Sequence, residues 1–597
     1  MAPGVAVLAL ALASPAVAPA PLNSTQRVQQ ALRRLTWGIE PGQVEQVQKL
    51  GLDRWLNQQL HPDSVPENSQ LLSVLKPLDS LPMSTAELMA NYPPPQAINQ
   101  MASGRRPLPA DPHLRYVVES EIEQLRVRRD AKAAAAGAQP GRGNGAGRAM
   151  PLVMNAPPLD RLLSPEQITA IEKGPPQRRA AAFAALPAAT RQQALPALPR
   201  AVARPLAAWL PLAEARQIAY YLQPQQVTTM DLESGKLLNA IYSSRQLQDV
   251  LTDFWFNHFN VYIRKGPERD LLAPYLRDAI RPHVLGSFHD LLLATAESPA
   301  MLFFLDNWQS VDPQVNKRGI NENYGRELME LHTLGVNGGY TQQDVIAVAH
   351  CFTGWTIRQP FGQASFFYND RLHDHAAQVV LGTRIPAGGG MNDGLKVLDM
   401  LASSPATAHH IAFELAQRFV ADDPPPALVN RMAATFLKTH GDLRKVMETM
   451  IHSPEFFAPA YYDNKVRSPL EMVVAAVRAT GADVINPMGL NQELNQMGEP
   501  LFAKEPPTGY RNTGDQWASS SGLLDRMKFA SRLANGQLPG VQVNLAPLAQ
   551  DPALLLSQIS ALTRAAIAKD TAGDTNLQTR LRQTAALTLG SPDFQRR

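Results

Sequence analysis

The densest set of chemically capable side chains lies in NENYGRELMELHTLG, residues 321–335, with three glutamates, two asparagines, an arginine and a histidine. On a helix advancing about 100° per residue, Glu322, Asn323, Arg326, Glu327, Glu330 and Thr333 share one arc of roughly 140°. Tyr324, Leu328 and Leu331 fall opposite, and Asn321 leads into the polar side. Glu327 and Glu330 are neighbours on that face. Two adjacent carboxylates resist joint ionisation, so one can hold a proton and act as a general acid, an effect that Arg326 opposes. The same face could simply be solvated. Asparagines are poor helix formers, and the flanks are rich in aromatics and glycine, which favours a buried polar network.

Which chemistry would such a network perform? Glycosidic hydrolysis needs two carboxyl groups about 5–9.5 Å apart across the scissile bond. Neighbours on one helical turn do not obviously straddle a bond, so Asp306 or Asp374 would supply the partner. His332 projects about 140° away from Glu327 on the wheel, which separates it from that face. The segment carries no H-E-x-x-H and no Glu-x-x-His pair. His373-Asp374-His375 reads as a loop cluster, and adjacent His409 and His410 diverge on a helix. A metal assembled across elements, from Glu327, Glu330 and His373, stays an alternative. The expectation is no metal and no cofactor, since a phosphate loop, a G-x-S-x-G elbow and a Cys/His dyad are also lacking.

The elements that must position these groups read as helices. Ser-Pro pairs at Ser164, Ser298, Ser404, Ser453, Ser468 and Ser591 each precede an apolar-periodic stretch, and serine at the N-cap with proline at the first helical position is a sound start. Ser468 and Glu471 have capping-box spacing, and so do Thr341 and Asp344 after the Gly338-Gly339 turn. Gly354 suits a left-handed helix end. In FWFNHF, Trp255, Phe256 and Phe259 read as core, while Asn257 and His258 reach towards the polar centre. Trp355 either packs in the core or lines a cleft. Strand-like alternation is confined to 363–370 and 378–382, enough for one small hairpin. The class is mainly α, a large multi-helix globular domain.

Composition bounds the rest. The chain has 597 residues, 45% of them hydrophobic, so a large core can form, and its formal charge of +3 gives no field that would favour nucleic acid. Residues 1–20, with an apolar run from Val5 to Ala13 ahead of small residues but no basic start, read as a signal peptide. No other stretch is apolar enough to span a membrane. Cys351 is the single cysteine, which excludes an internal disulfide and a thiolate-rich metal site. Residues 25–595 read as one helical domain, with an Ala/Gly/Pro/Arg-rich flexible insertion at 130–206.

Several segments occur in an order that resembles a known family. They are LTWGIEPGQVEQVQKLGLDRWLNQQLHP (35–62), LTDFWFNHFNV (251–261), SPAMLFFLDN (298–307), NENYGRELMELHTLGVNGGYTQQDVIAVAHCFTGW (321–355), HDHAAQVVLG (373–382) and PPTGY (506–510). The chain thereby resembles the bacterial domain-of-unknown-function 1800 family from about residue 30 to 595. The resemblance implies a mostly helical, generally exported protein, whose relatives often sit beside an exported sulfatase-like family. It implies no particular reaction. Relatives often carry histidine at position 256, arginine at 350, lysine at 378, tryptophan at 510 and phenylalanine at 332, where this chain has Phe256, His350, Gln378, Tyr510 and His332.

These readings converge on an exported protein, periplasmic or secreted, with a buried carboxylate–arginine centre. Glu327, Glu330, Arg326 and Asp374 are the catalytic candidates, and Asn321, Glu322, Asn323, His258, Asp306, His373 and Trp355 the binding candidates. The expected chemistry is hydrolysis of an extracellular polymer or glycan. The alternative is a non-catalytic scaffold or partner subunit of an exported sulfatase-like protein.

Overall fold

A computed structural model of the chain describes residues 20–136, 151–153 and 156–597; the expected signal peptide lies almost wholly outside them. The structure is 60% helical and, among the described residues, holds three two-stranded sheets, so the fold is mainly α. Eight helices carry the residues of interest: α1 (Ser24–Leu35), α2 (Val227–Tyr242), α3 (Gln246–His258), α4 (Glu322–Glu330), α5 (Gln342–Cys351), α6 (Pro405–Phe419), α7 (Pro469–Thr480) and α8 (Ser520–Ala534).

Helix α7 explains much of the packing. PLEMVVAAVRAT is apolar except for Glu471, Arg478 and Thr480, close to the pattern of a helix with no solvent face, and every one of its residues is buried. Ser468 and Glu471 close the expected capping box, and Gly481 ends the helix in the left-handed conformation. The 36–39 segment crosses α7 so closely that a Cβ on Gly38 would lie 2.7 Å from the Ala475 Cα. Arg478, buried in this crossing, donates to the carbonyls of Gly38 (2.8 Å) and Ile241 (2.5 Å). One apolar core runs from Val28 to Phe594.

Ser164, Ser298, Ser404 and Ser468 cap helices as expected. Ser453 and Ser591 open turns instead. After Ser453 the backbone turns within one step and Pro459 forbids the helical conformation at the residue before it; after Ser591 the chain pairs Arg596 with Val466. The single expected hairpin is replaced by three pairings. β1 (Trp355–Arg358) pairs with β2 (Ser365–Tyr368), β3 (Gln378–Val380) with β4 (Thr383–Ile385), and β5 (Asp483–Val484) with β6 (Val541–Gln542), all antiparallel. Each 363–382 strand thus finds a nearer partner than the other. Within the expected insertion, residues 159–207 form a run of short helices whose Phe183, Leu195 and Leu206 are buried in the core. Residues 137–150 and 154–155, its most Gly-rich part, lie outside the described residues.

Candidate functional site

Helix α4 has the predicted period. Tyr324, Gly325, Leu328 and Met329 are buried, and a Cβ on Gly325 would lie 2.8 Å from the Val345 carbonyl oxygen, so α4 and α5 pack backbone to backbone. The opposite, polar side is not a buried centre. Glu322 and Asn323 are exposed, and Arg326, Glu327 and Glu330 are half-buried. Arg326 donates to Gln342 Oε1 (2.8 Å), and Gln342 donates to Glu322 Oε2 (2.7 Å). Tyr340 donates to Glu330 (3.2 Å). Burial, then the charge of Glu330, raises the Glu327 carboxyl, and Arg326 opposes the rise. Asn321 is the N-cap: it accepts from the Asn323 N–H (2.8 Å) and donates to the Leu305 carbonyl (2.8 Å). The wheel separates the faces correctly up to Glu330, where the helix ends; Thr333, assigned to the polar arc, lies beyond it and is fully buried. The wheel does not say which wall the helix leans on: α5 packs on the apolar side and reaches the polar side only through Gln342 at its start.

The other candidates lie elsewhere. Asp306, at a φ of 60°, pairs with Lys265 (2.8 Å) on a half-exposed turn. Trp355 is fully buried against Phe352 and Phe366, at ring distances of 4.9 and 5.3 Å, so it is core and lines no cleft. His373 and Asp374 meet the end of α5. His373 contacts the Thr353 carbonyl (2.9 Å) and Asp393 (3.3 Å). Asp374 pairs with His350 (2.5 Å), accepts from the Ala376 N–H (2.8 Å) and donates its own N–H to Thr353 Oγ1 (2.8 Å). Gln378 also reaches Asp374 (3.4 Å). This nest stitches CFTGW to HDHAA. Among the described residues the donor atoms of Glu327, Glu330 and His373 do not converge.

His258 joins a different group. The last residue of α3, it is buried and walled by Trp255 and Phe259, at ring distances of 5.4 and 4.6 Å. Its Nδ1 lies 2.6 Å from Glu414 Oε2 and its Nε2 3.1 Å from the His332 carbonyl oxygen. His410 and Glu414, one turn apart on α6, face this ring: His410 Nε2 is 3.6 Å from Glu414 Oε1 and 3.3 Å from the Leu331 carbonyl oxygen. Burial alone would raise Glu414, but His258 and His410 outweigh it and hold the carboxyl below its usual range. His332, which the wheel sets aside, is 2% exposed and the third imidazole of the group. Burial, then its histidine neighbours, pushes it down to about 3. His258, His410 and Glu414 are the described residues whose donor atoms could share a metal ion. The missed signal is His410-x-x-x-Glu414: adjacent histidines diverge, but residues four apart share a helix face.

A polar cleft opens beside this group, with about 60 Å³ of free space, between α2, α3, the end of α6, the start of α7 and the 499–513 segment. Asn257 clamps the segment by donating to the Tyr510 carbonyl and accepting from the Tyr510 N–H, both at 2.6 Å. Asn260 donates to the Lys504 and Pro506 carbonyls, both at 2.9 Å. Gly509, at a φ of 62°, lets the loop touch α3: a Cβ there would lie 2.3 Å from the Asn257 carbonyl oxygen. On the floor, Glu471 is held between Arg418 (2.5 Å) and Arg597 (2.9 Å). Lys465 pairs with Asp422 and donates to the Gln417 and Asn512 carbonyls (2.8 and 2.7 Å); burial brings it down to about 8. Glu499 lines the wall, 8% exposed, and accepts from the Leu470 N–H (2.7 Å). Burial pushes its carboxyl up to about 7, against that hydrogen bond, with Asp253 adding to the rise. Behind Phe256 and Phe502 lies an apolar groove of about 670 Å³ lined by Leu72, Leu75, Leu78 and Leu81.

Fold and sites define a large, mainly helical protein whose polar cleft is closed by a loop clamped to a histidine-bearing helix. The chain belongs to the family described as "Protein of unknown function (DUF1800)", whose profile matches residues 30–596. No curated protein and no solved structure matches it.

Proposed function

We propose that this chain is an exported hydrolase of an anionic extracellular polymer or glycan, working at the cleft between α3, α7 and the 499–513 loop. Glu499 is its proton-transfer residue. The observation that supports the reading is a single carboxyl, nearly buried yet lining a cleft, that titrates near neutrality, where proton transfer in both directions is efficient. Glu327 and Glu330 have the composition for this role but line a surface, whereas Glu499 has the enclosure. Lys504 and Arg511 line the same cleft and would orient an anionic group of the substrate, with Tyr510 beside them. In the reaction, water adds across the scissile bond while Glu499 passes a proton to the leaving oxygen.

The test is release of reducing ends or acidic fragments from a panel of sulfated and uronate polysaccharides by the purified full chain. Hydrolysis by the wild type that falls at least 100-fold in Glu499→Gln, with the fold retained, supports the reading. No release from any member of the panel, or an unchanged rate in Glu499→Gln, refutes it. Export is tested by fractionation of the native cells and N-terminal sequencing of the mature protein. Accumulation of the full-length chain in the cytoplasm would refute export.

A second reading, a partner subunit of an exported sulfatase-like protein, is favoured by the solvent-facing Glu322–Gln342–Arg326 network and the exposed Val336 just beyond it. Loss of co-purification with that neighbour in Arg326→Glu would support it, and unchanged co-purification would refute it.

A further inference from the structure

The group around His258 turns one ring nitrogen towards a carboxylate, a place for either a proton or a metal ion. His258 Nε2 faces the His332 carbonyl at 3.1 Å, and a carbonyl accepts only from an N–H, so the Nε2 carries the proton. In neutral imidazole the Nδ1 then presents a lone pair, and it does so 2.6 Å from a carboxylate oxygen of Glu414. That approach takes either a second proton on the ring, giving an imidazolium–carboxylate pair, or a metal cation on Nδ1.

The surroundings favour an ion over a lone proton. His410 and Glu414 extend from one face of α6, and the donor atoms of His258, His410 and Glu414 lie within 4.8 Å of one another. Zinc–ligand bonds of about 2.0–2.2 Å in a tetrahedron place donors roughly 3.3 Å apart. His258 Nδ1 lies 2.6 Å from one Glu414 oxygen and His410 Nε2 3.6 Å from the other, distances on either side of that spacing; to bind the ion, His410 Nε2 would give up its 3.3 Å contact with the Leu331 carbonyl. The hydrogen bond from His258 Nε2 to a backbone carbonyl is the outer contact that fixes a metal-binding imidazole in orientation and tautomer. Trp255 and Phe259 wall the ring from water, while the Glu414 side chain stays about a quarter exposed, an entry path from solvent. Gly335, at a φ of 82°, leaves room beside His410, where a Cβ would come 3.1 Å from its Nδ1. The buried His332 Nε2 next to the group has no hydrogen-bond partner.

We propose that His258, His410 and Glu414 bind a divalent transition-metal ion of the zinc class, leaving a coordination position free on the Glu414 side. Two imidazoles and one carboxylate suit zinc, or cobalt and nickel in its place, and are too nitrogen-rich for magnesium or calcium. The site is independent of Glu499 and of the hydrolase reading.

The experiment uses full-length protein stripped with a chelator and titrated with Co²⁺, then Zn²⁺, followed by visible absorption and calorimetry. One equivalent of Co²⁺ is expected to give a tetrahedral-type band that one equivalent of Zn²⁺ abolishes, and both affinities to fall by about 100-fold or more in Glu414→Gln and His410→Ala. Absence of binding by the wild type, or one-to-one binding unchanged in both variants, overturns the proposal. Should a variant fail to fold, carbethoxylation of the wild type decides: zinc protection of His410 supports the site, and modification of His410 at the same rate with and without zinc overturns it.

Discussion

Glu499→Gln separates a buried carboxyl that keeps its proton from a carboxylate held by its neighbours through stability alone. Burial lifts Glu499 from an ordinary 4.5 to about 7. The folded chain therefore holds this proton more tightly than the unfolded chain does. Its contribution to stability is full below about pH 4.5 and is lost as the pH rises through 7, where the folded protein must keep an ionised carboxylate in a nearly dry wall. At about 1.36 kcal/mol per unit, the loss reaches about 3–4 kcal/mol at alkaline pH, of which about 2–3 kcal/mol falls between pH 5 and pH 8. Glutamine keeps an acceptor for the Leu470 N–H and cannot ionise. The assay is urea unfolding of both proteins by tryptophan fluorescence at these two pH values. Glu499→Gln should match the wild type near pH 5 and exceed it by about 2–3 kcal/mol at pH 8. Taking the difference between the two proteins cancels the titration of Asp231, Glu233 and Asp270, which burial also raises. Parallel pH curves, or a variant less stable at pH 8, would refute the reasoning and make Glu499 a carboxylate held by its neighbours.

Gly509→Ala should displace the 504–513 loop, because a positive φ costs about 1–2 kcal/mol and the new Cβ meets the Asn257 carbonyl; limited proteolysis should cut there first, and an uncut loop would contradict the clamp. Glu327→Gln and Glu330→Gln should each change stability by less than about 1 kcal/mol in urea unfolding, as expected for half-exposed groups, and unfolding of both would contradict their placement. Gly394→Ala should cost about 1–3 kcal/mol by overpacking, since its Cβ would lie 2.7 Å from the Trp355 ring; an unchanged near-ultraviolet circular dichroism spectrum would argue against that contact.

The features legible in the sequence are those that local geometry decides. The caps at Ser468 and Thr341, the left-handed Gly354 and the two faces of α4 follow from hydrogen-bond reach and a period of 3.6 residues. Burial is not local. The polar side of α4 and the polar side of α6 read alike as amphipathic faces, yet α6 turns Glu414 towards an aromatic wall and α4 turns Glu322 towards solvent. Only the path of α3 and of the 499–513 segment makes that difference. Glu499 itself, in LNQMGEPLF, has no distinguishing neighbour in sequence. It is marked by Leu470 and Asp253, which are distant along the chain.

The departures from family-like residues gather at these non-local meeting points. His350 and Gln378, where relatives often have arginine and lysine, both contact Asp374. Arginine and lysine would set two permanent cations beside this carboxylate, where this chain has an imidazole and an amide. His332, where relatives often have phenylalanine, adds an imidazole to the group that already contains His258 and His410. Phe256 and Tyr510 stand in the cleft walls. A framework of caps and apolar faces tolerates such exchanges, because none of these side chains sets a helix boundary. The helical scaffold and its chemistry are therefore separable: the first is carried by α7 and its crossings, and the second by a few side chains that the scaffold brings together.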